Sequence, residues 1–240
     1  MTFNINHGED SRGSYGLKEI IEIIRQESPD FVTINDIDSK AVRTYREDQA
    51  RKIAGNLGMY FTFGKTTALE GGWNGNAILS KYPLKYAENR FYKNRNELEN
   101  QALLYGVFAA GEKEIHIFTT ELAEDKETAE KQSHEIVDCI MDVMSKGAVN
   151  SPVLLAGSLN LEADHVSIKG MRNYLLNATE NAKGAERYNY PGSDPKTQKD
   201  YIFYRKNLNL FNWELISDNN TRNASDHLPL TATFTLNRNN

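Results

Sequence analysis

With 240 residues, 39% hydrophobic and 25% charged, the chain has the length and composition of one large α/β domain. No linker-like stretch divides it, so residues 1–240 read as a single domain. A formal charge of -5 offers no basic face for sequence-independent nucleic-acid binding, and no apolar run approaches the ~20 residues of a membrane-crossing helix.

Thr2–Ile5 follows Met1 directly and reads as a strand, so a longer natural N-terminus is one reading; a soluble chain, cytoplasmic or exported, is expected, with the compartment left open. Leu17, Ile20, Ile21, Ile23 and Ile24 keep helical spacing after Gly16. The helix ends before Pro29, and Phe31–Ile34 returns as a strand. A second helix is expected over Tyr45–Leu57, closed by Gly58. Four short runs then read as a meander: Tyr60–Phe63, Asn76–Leu79, Leu84–Asn89 and Ala102–Phe108, with Asn74-Gly75 as a turn. Ile115–Thr119 is another strand, before a long amphipathic helix from about Asp125 to Ser145 whose Ile136, Cys139, Ile140 and Val143 share a face. Cys139, the single cysteine, excludes an intramolecular disulfide and reads as a packed thiol. Val153–Ala156 is a buried strand, followed by a helix over about Ser167–Asn177 and a Gly/Pro/Lys loop from Lys183 to Lys199. Asp200–Tyr204 and Leu210–Ser217 are strands, and Leu228, Leu230, Ala232, Phe234 and Leu236 alternate in the clearest strand of the chain.

Side chains able to bind a metal or a phosphate recur at the ends of these strands. Asn4 lies in the first, Asn35-Asp36 end the second, and Thr120-Glu121 end the Ile115 strand. Ser158 and Asn160 follow Val153–Ala156, Asp200 opens the next strand, and Ser225-Asp226-His227 opens the last. Polar residues flank strands in most proteins, so none of these is evidence alone. Six such strand ends together can converge on one edge of a sheet sandwich, where α/β folds collect ligands. The other histidines lack ligand spacing: His7 reads as a loop residue, His116 as a packed strand residue, His134 as helical and His165 as part of a polar loop. Trp73, Tyr188 and Tyr190 are candidates for a substrate rim. Ser158 is outside any nucleophile elbow, so no Ser-His-Asp triad is expected.

In order and wording the chain resembles the endonuclease/exonuclease/phosphatase (DNase I-like) superfamily. The matching phrases are Thr2-Phe3-Asn4-Ile5-Asn6-His7-Gly8, Pro29 to Asp38, Gly75 to Leu84, Gly157-Ser158-Leu159-Asn160, Asp200-Tyr201-Ile202-Phe203 and Ala224 to Pro229. The resemblance implies a four-layer α/β sandwich, two mixed β-sheets face to face with helices outside, and a pocket at one edge. It implies a metal-dependent phosphoric-ester hydrolase using Mg²⁺ or Mn²⁺, with Asn4, Asp36 and Asp226 near the metal. By the same resemblance Asn160 contacts the phosphate, Asp200 positions metal or water, and Asp226 orients the catalytic His227. The implied partners are a phosphorylated small molecule, a lipid head group or a nucleic acid, and a monomer is favoured.

Three positions depart from the family pattern. Asp36 replaces a glutamate, which withdraws the carboxylate by roughly 1.5 Å, and Mg²⁺ tolerates little deviation from ~2.0–2.1 Å, so weaker metal binding is expected. Glu121 replaces a histidine; at ~4 Å and an effective dielectric near 20 its charge repels an anion by on the order of 4 kcal/mol unless a metal or proton screens it. Ser158 replaces the aspartate that activates water, and losing a general base costs ~10²–10⁴ in rate. Two readings stay open: a slowed or inactive hydrolase, and a non-catalytic ligand-binding pseudoenzyme using the same pocket. The acid lost at Ser158 and gained at Glu121 also leaves room for a relocated cation site.

Overall fold

The isoleucine stripe after Gly16 buries as its spacing predicts. In the computed structural model, which describes residues 1–93 and 100–236, β1 (Thr2–Asn4) leads to α1 (Lys18–Glu27), with Ile20, Ile21, Ile23 and Ile24 buried. β2 (Phe31–Ser39) then pairs with β1 in parallel, Asn4 opposite Asn35. A parallel neighbour requires a crossover, and α1 is that crossover.

The chain continues through α2 (Gln49–Leu57), β3 (Tyr60–Leu69), β4 (Gly72–Ser80), β5 (Leu84–Phe91), β6 (Ala102–Ala110) and β7 (Lys113–Glu121). A second crossover follows: α3 (Lys126–Ser145) joins β7 to β8 (Val153–Ser158), again a parallel pair. The remainder is α4 (Val166–Met171), β9 (Leu176–Asn177), β10 (Asp200–Tyr204), β11 (Leu208–Leu215), α5 (Thr221–Ala224) and β12 (Leu230–Leu236).

Two six-stranded mixed sheets result, in the orders β11-β12-β1-β2-β4-β3 and β5-β6-β7-β8-β10-β9. Ile78 from one sheet meets Leu104, Phe108 and Ile117 from the other. The isoleucines of α1 and Ile53 of α2 pack with Val32 and Ile34 of the first sheet. Ile136 and Ile140 of α3 pack with Phe118 and Leu155 of the second. The layers are therefore helix, sheet, sheet, helix, as the resemblance implies. The carboxyl ends of both parallel pairs point to the same edge and carry Asn4, Asp36, Glu121 and Ser158.

Several expected boundaries differ for local reasons. Tyr45 and Arg46 take φ of 56° and 59° after a single turn at Val42–Thr44, so α2 begins only at Gln49, where Asp48 caps the Arg51 N–H at 3.1 Å. The expected meander is two hairpins in different sheets, β3-β4 and β5-β6, and Asn74-Gly75 lies inside β4 with the reversal at Glu70-Gly71. The helix after Ser167 stops at Met171, one residue past the poor helix former Gly170, and Leu176–Asn177 pairs with β10 instead. β2 runs five residues past Ile34 through a bulge between Ile34 and Ile37, with Asp36 at φ 45°.

One glycine is required by close approach. Gly157 has φ 154°, and a Cβ built there lies 2.2 Å from the Thr120 carbonyl oxygen on the neighbouring strand. Backbone cannot yield as a flexible side chain does, so Gly157→Ala is expected to destabilise by about 3 kcal/mol. Chemical denaturation checks this as a lower midpoint at unchanged slope.

Candidate active site

Strand register sets Glu121, Ser158 and Asp200 abreast: Glu121 is opposite Ser158 on β8, and Ser158 is opposite Asp200 on β10. Asn4 reaches them from the other sheet. Its Nδ2 donates to Glu121 Oε1 at 3.0 Å and to Ser158 Oγ at 3.1 Å. Ser158 Oγ donates to Asp200 Oδ1 at 2.5 Å, and Asp200 Oδ2 meets His227 Nδ1 at 2.6 Å. Asn4, Ser158, Asp200 and His227 are all buried.

This relay gives each group a definite state. Burial by itself lowers the His227 pKa, but the Asp200 carboxylate and its hydrogen bond, with Asp226 and Glu121 nearby, raise it above the ordinary value. With Nδ1 held by Asp200, Nε2 is left for a ligand. Burial, reinforced by Asp36 and Asp200 and opposed by His227 and the Asn4 bond, pushes Glu121 up to about 8. Glu121 therefore carries a proton at neutral pH, and the repulsion expected of its charge is screened by that proton. The Ser158 hydroxyl directs its own proton to Asp200 and is no base.

Asp36 lies on the other side of this edge. Its Oδ1 accepts from Asn74 Nδ2 at 2.6 Å, its Oδ2 stands 3.3 Å from His7 Nδ1, and Arg43 Nη2 is 3.5 Å from Oδ1. Burial raises its pKa, but His7, Arg43 and Asn74 more than offset this and hold it below the ordinary value. His7 loses by burial yet gains from the Asp36 bond, and is raised. Arg43 is itself fixed by fully buried Asp38, through Nε to Oδ2 at 2.7 Å and Nη2 to Oδ1 at 2.8 Å.

Two expected site residues face elsewhere. Asn160, at φ 51°, donates its Nδ2 to the Leu122 carbonyl at 2.7 Å. Asp226 does not orient His227; the ring's partner is Asp200, and Asp226 Oδ1 instead accepts from Ser225 Oγ at 3.4 Å. Ser225 also donates to the Asn4 carbonyl at 2.8 Å and accepts from the His227 N–H at 3.2 Å, tying β1 to the histidine. Tyr190, a candidate rim residue, lies with its ring 4.8 Å from His227. His116 is packed as expected, 2.6 Å from the Tyr105 hydroxyl. Half-buried Cys139 accepts from Arg90 Nη1 at 3.0 Å.

His7, Arg43, Asp38 and Asn189 are the residues that sequence reasoning missed. Asn189 is buried, and its Oδ1 accepts from the Lys199 and Asp200 N–H groups at 2.8 and 3.2 Å while its Nδ2 donates to the Asp200 carbonyl at 3.0 Å. A short spacing linked Asp38 to Arg43; nothing in the sequence linked His7 to Asp36.

The oxygen donors are of the right type for a hard cation. As arranged they do not fit one: Asp36 is held by His7, Asn74 and Arg43, Asn4 turns its N–H groups toward the pocket acids, and its Oδ1 accepts from the Asn6 N–H at 3.1 Å. Among the described residues no group of three or more His, Cys, Asp or Glu side chains gathers as a metal cluster.

The sequence model of the Endonuclease/Exonuclease/phosphatase family matches residues 1–115. The first 115 residues of the chain are thus similar to this family in sequence. Among solved structures it is similar to an endonuclease/exonuclease/phosphatase from Beutenbergia cavernae (TM-score 0.79, 19% identity, 98% of this chain and 70% of that one). It is also similar to a mannosyl-6-phosphatase from Bacteroides thetaiotaomicron (0.78, 14%, 98% of each chain). The human Nocturnin catalytic domain with bound sulfate gives 0.73 at 18% identity, over 91% of this chain and 85% of that one. At these identities the likeness is one of fold. No curated protein matches the chain.

The raised Glu121 value has a thermodynamic consequence. Its ordinary value of 4.5 rises to about 8 in the fold, so the folded chain keeps a proton that the unfolded chain releases in between. That stability is fully present below about pH 4.5 and is lost as pH rises through about 8. Glu121→Gln, which cannot titrate, is expected to lessen the drop in melting temperature between these pH values by on the order of 10 °C, measured by calorimetry.

Proposed function

We propose that this chain, as one domain over residues 1–240, is a divergent phosphoric-ester-binding member of the superfamily whose hydrolysis is slowed or lost. The supporting observation is the relay from Asn4 through Ser158 and Asp200 to His227, complete in hydrogen bonds but with a hydroxyl where the family places the base. His227, its Nδ1 held by Asp200 and its pKa raised, keeps Nε2 for a phosphoryl oxygen, and protonated Glu121 supplies a neutral O–H donor in place of the family's histidine. Both favour an anionic phosphoryl group. Neither Ser158 nor Asp200 is free to take a proton from water, because Ser158 donates to Asp200 and both Asp200 oxygens are engaged. Mg²⁺ or Mn²⁺ binding is expected to be weak, since His7 and Arg43 already counter the Asp36 charge.

Hydrolysis of an aryl phosphodiester with Mg²⁺ or Mn²⁺ tests the first part. The parent is expected to be at least ~10²-fold slower than a combined Asp36→Glu, Glu121→His and Ser158→Asp variant. Substantial parental turnover that disappears in Ser158→Ala or Glu121→Gln overturns the reading.

The second reading, a ligand-binding pseudoenzyme, is favoured by the two retained donors. Sulfate keeps one charge state across the working range, so its affinity reports the protein alone. That affinity is expected to fall as pH rises past about 8, where Glu121 loses its proton. Thermal shift reads it out, and a pH-independent affinity counts against the Glu121 donor.

A further inference from the structure

β12 runs on past the strand beside it. β1 meets it at one register position, Thr2 opposite Leu230, while β12 continues to Leu236 and stays paired with β11 on its other side. Past Leu230 the edge turned toward β1 therefore makes no ladder bond among the described residues, and half of the backbone N–H and C=O groups of Thr231–Leu236 point along it. A cavity of about 420 Å³ lies against that edge, between β12 and the Pro29–Phe31 stretch where β2 begins. Its lining includes Thr231 and Thr233 as well as Ala232 and Phe234, which alternate to opposite faces of the sheet, so the space follows the edge of the strand and does not cover one face only. The relay sits at the carboxyl end of β1, and this slot lies at its amino end.

The two faces of the slot differ in chemistry. Between the sheets, Ala232 and Phe234 pack with Leu154 and Ile202, and that half is apolar. On the outer face Glu214 stands opposite Thr231 in the register, and Glu27 reaches the slot from the last residue of α1. Neither carboxylate makes a salt bridge among the described residues, whereas Asp30 at the same mouth is countered by Lys81 at 3.7 Å, and no lysine or arginine lines the slot. Burial, then Glu214 and Asp218, raise the Glu27 pKa against the opposing pull of the Met1 ammonium, as expected of an acid short of positive charge. A strand laid here turns alternate side chains to these two faces, apolar inward and cationic outward, and pairs with the open edge of β12. A lipid chain or a lone aromatic ring fills the apolar half but drives water from that edge and leaves its donors and acceptors unpaired.

We infer that this slot receives an extended peptide segment of a partner protein, added as a strand antiparallel to β12 and in line with β1, with apolar residues turned between the sheets and lysine or arginine turned toward Glu27 and Glu214.

Calorimetric titration of the intact chain tests it with an acetylated, amidated hexapeptide of alternating valine and lysine. That peptide is expected to bind at least ~5-fold more tightly than one of alternating valine and glutamate, and at least ~10-fold more tightly than itself with its two central amides N-methylated. Bound peptide is expected to slow hydrogen exchange at the amides of Thr231–Leu236. Glu27 and Glu214 are exposed, so the double variant Glu27→Lys, Glu214→Lys keeps the fold, and in it the preference between the lysine and glutamate peptides is expected to reverse. No binding of the lysine peptide, equal binding of its N-methylated form, unchanged exchange along β12, or a charge preference unmoved in the variant overturns the inference.

Discussion

The edge of this sandwich depends on one amide group. Asn4 projects from the first sheet, and the two protons on its Nδ2 go to two side chains of the second, Glu121 and Ser158. Asn35 makes a parallel tie one strand over, from Nδ2 to Thr119 Oγ1 at 3.2 Å. Face-to-face sheets are joined mainly by non-directional apolar contact, which fixes spacing better than it fixes registration. Directional bonds at the rim set the registration there, and with it the distance between groups contributed by different sheets.

From that joint the charges divide into two halves. On one side Asp36 is countered by the Arg43 guanidinium and bonded to His7, with Asp38 behind the arginine. On the other, Glu121 is neutralised by its own proton and Asp200 by the imidazole. Each acid has a local counterpart, so the edge holds several carboxyl groups close together without leaving one buried, charged and unpaired. Glu121 and Ser158 are linked through this arrangement: burial leaves Glu121 protonated beside Asp200, and Ser158 donates to Asp200 without adding charge.

Much of the architecture was legible because it follows from periodicity and from local turn chemistry. The isoleucine spacing of Lys18–Glu27 and the alternation of Leu230–Leu236 required no knowledge of partners. The assignment of β5 to a different sheet from β4 was not legible, since either sheet satisfies the same alternation. For the site, strand-end position identified Asn4, Glu121, Ser158, Asp200 and His227. The Asp226 role was misread because adjacency in sequence does not bring two side chains together, whereas Asp200 arrives from another strand to meet the imidazole. His7 and Asn189 lay in irregular segments, where no period says which way a side chain faces.

Asn189 bears on how such a site can change over time. It lies ahead of the Pro191–Lys196 tip, and its side chain is bonded to the backbone of Lys199 and Asp200 while its carbonyl accepts from the Leu228 N–H at 2.9 Å. The alignment of Asp200 with His227 is thereby secured at the root of the loop, and the tip adds one tie of its own, from the Gly192 N–H to the Asp226 carbonyl at 2.6 Å. The stretch from Ser193 to Lys196 carries neither tie, so changes there alter what the rim presents without loosening the pair beneath it. The anchor separates the part of the surface open to diversification from the part that must stay still.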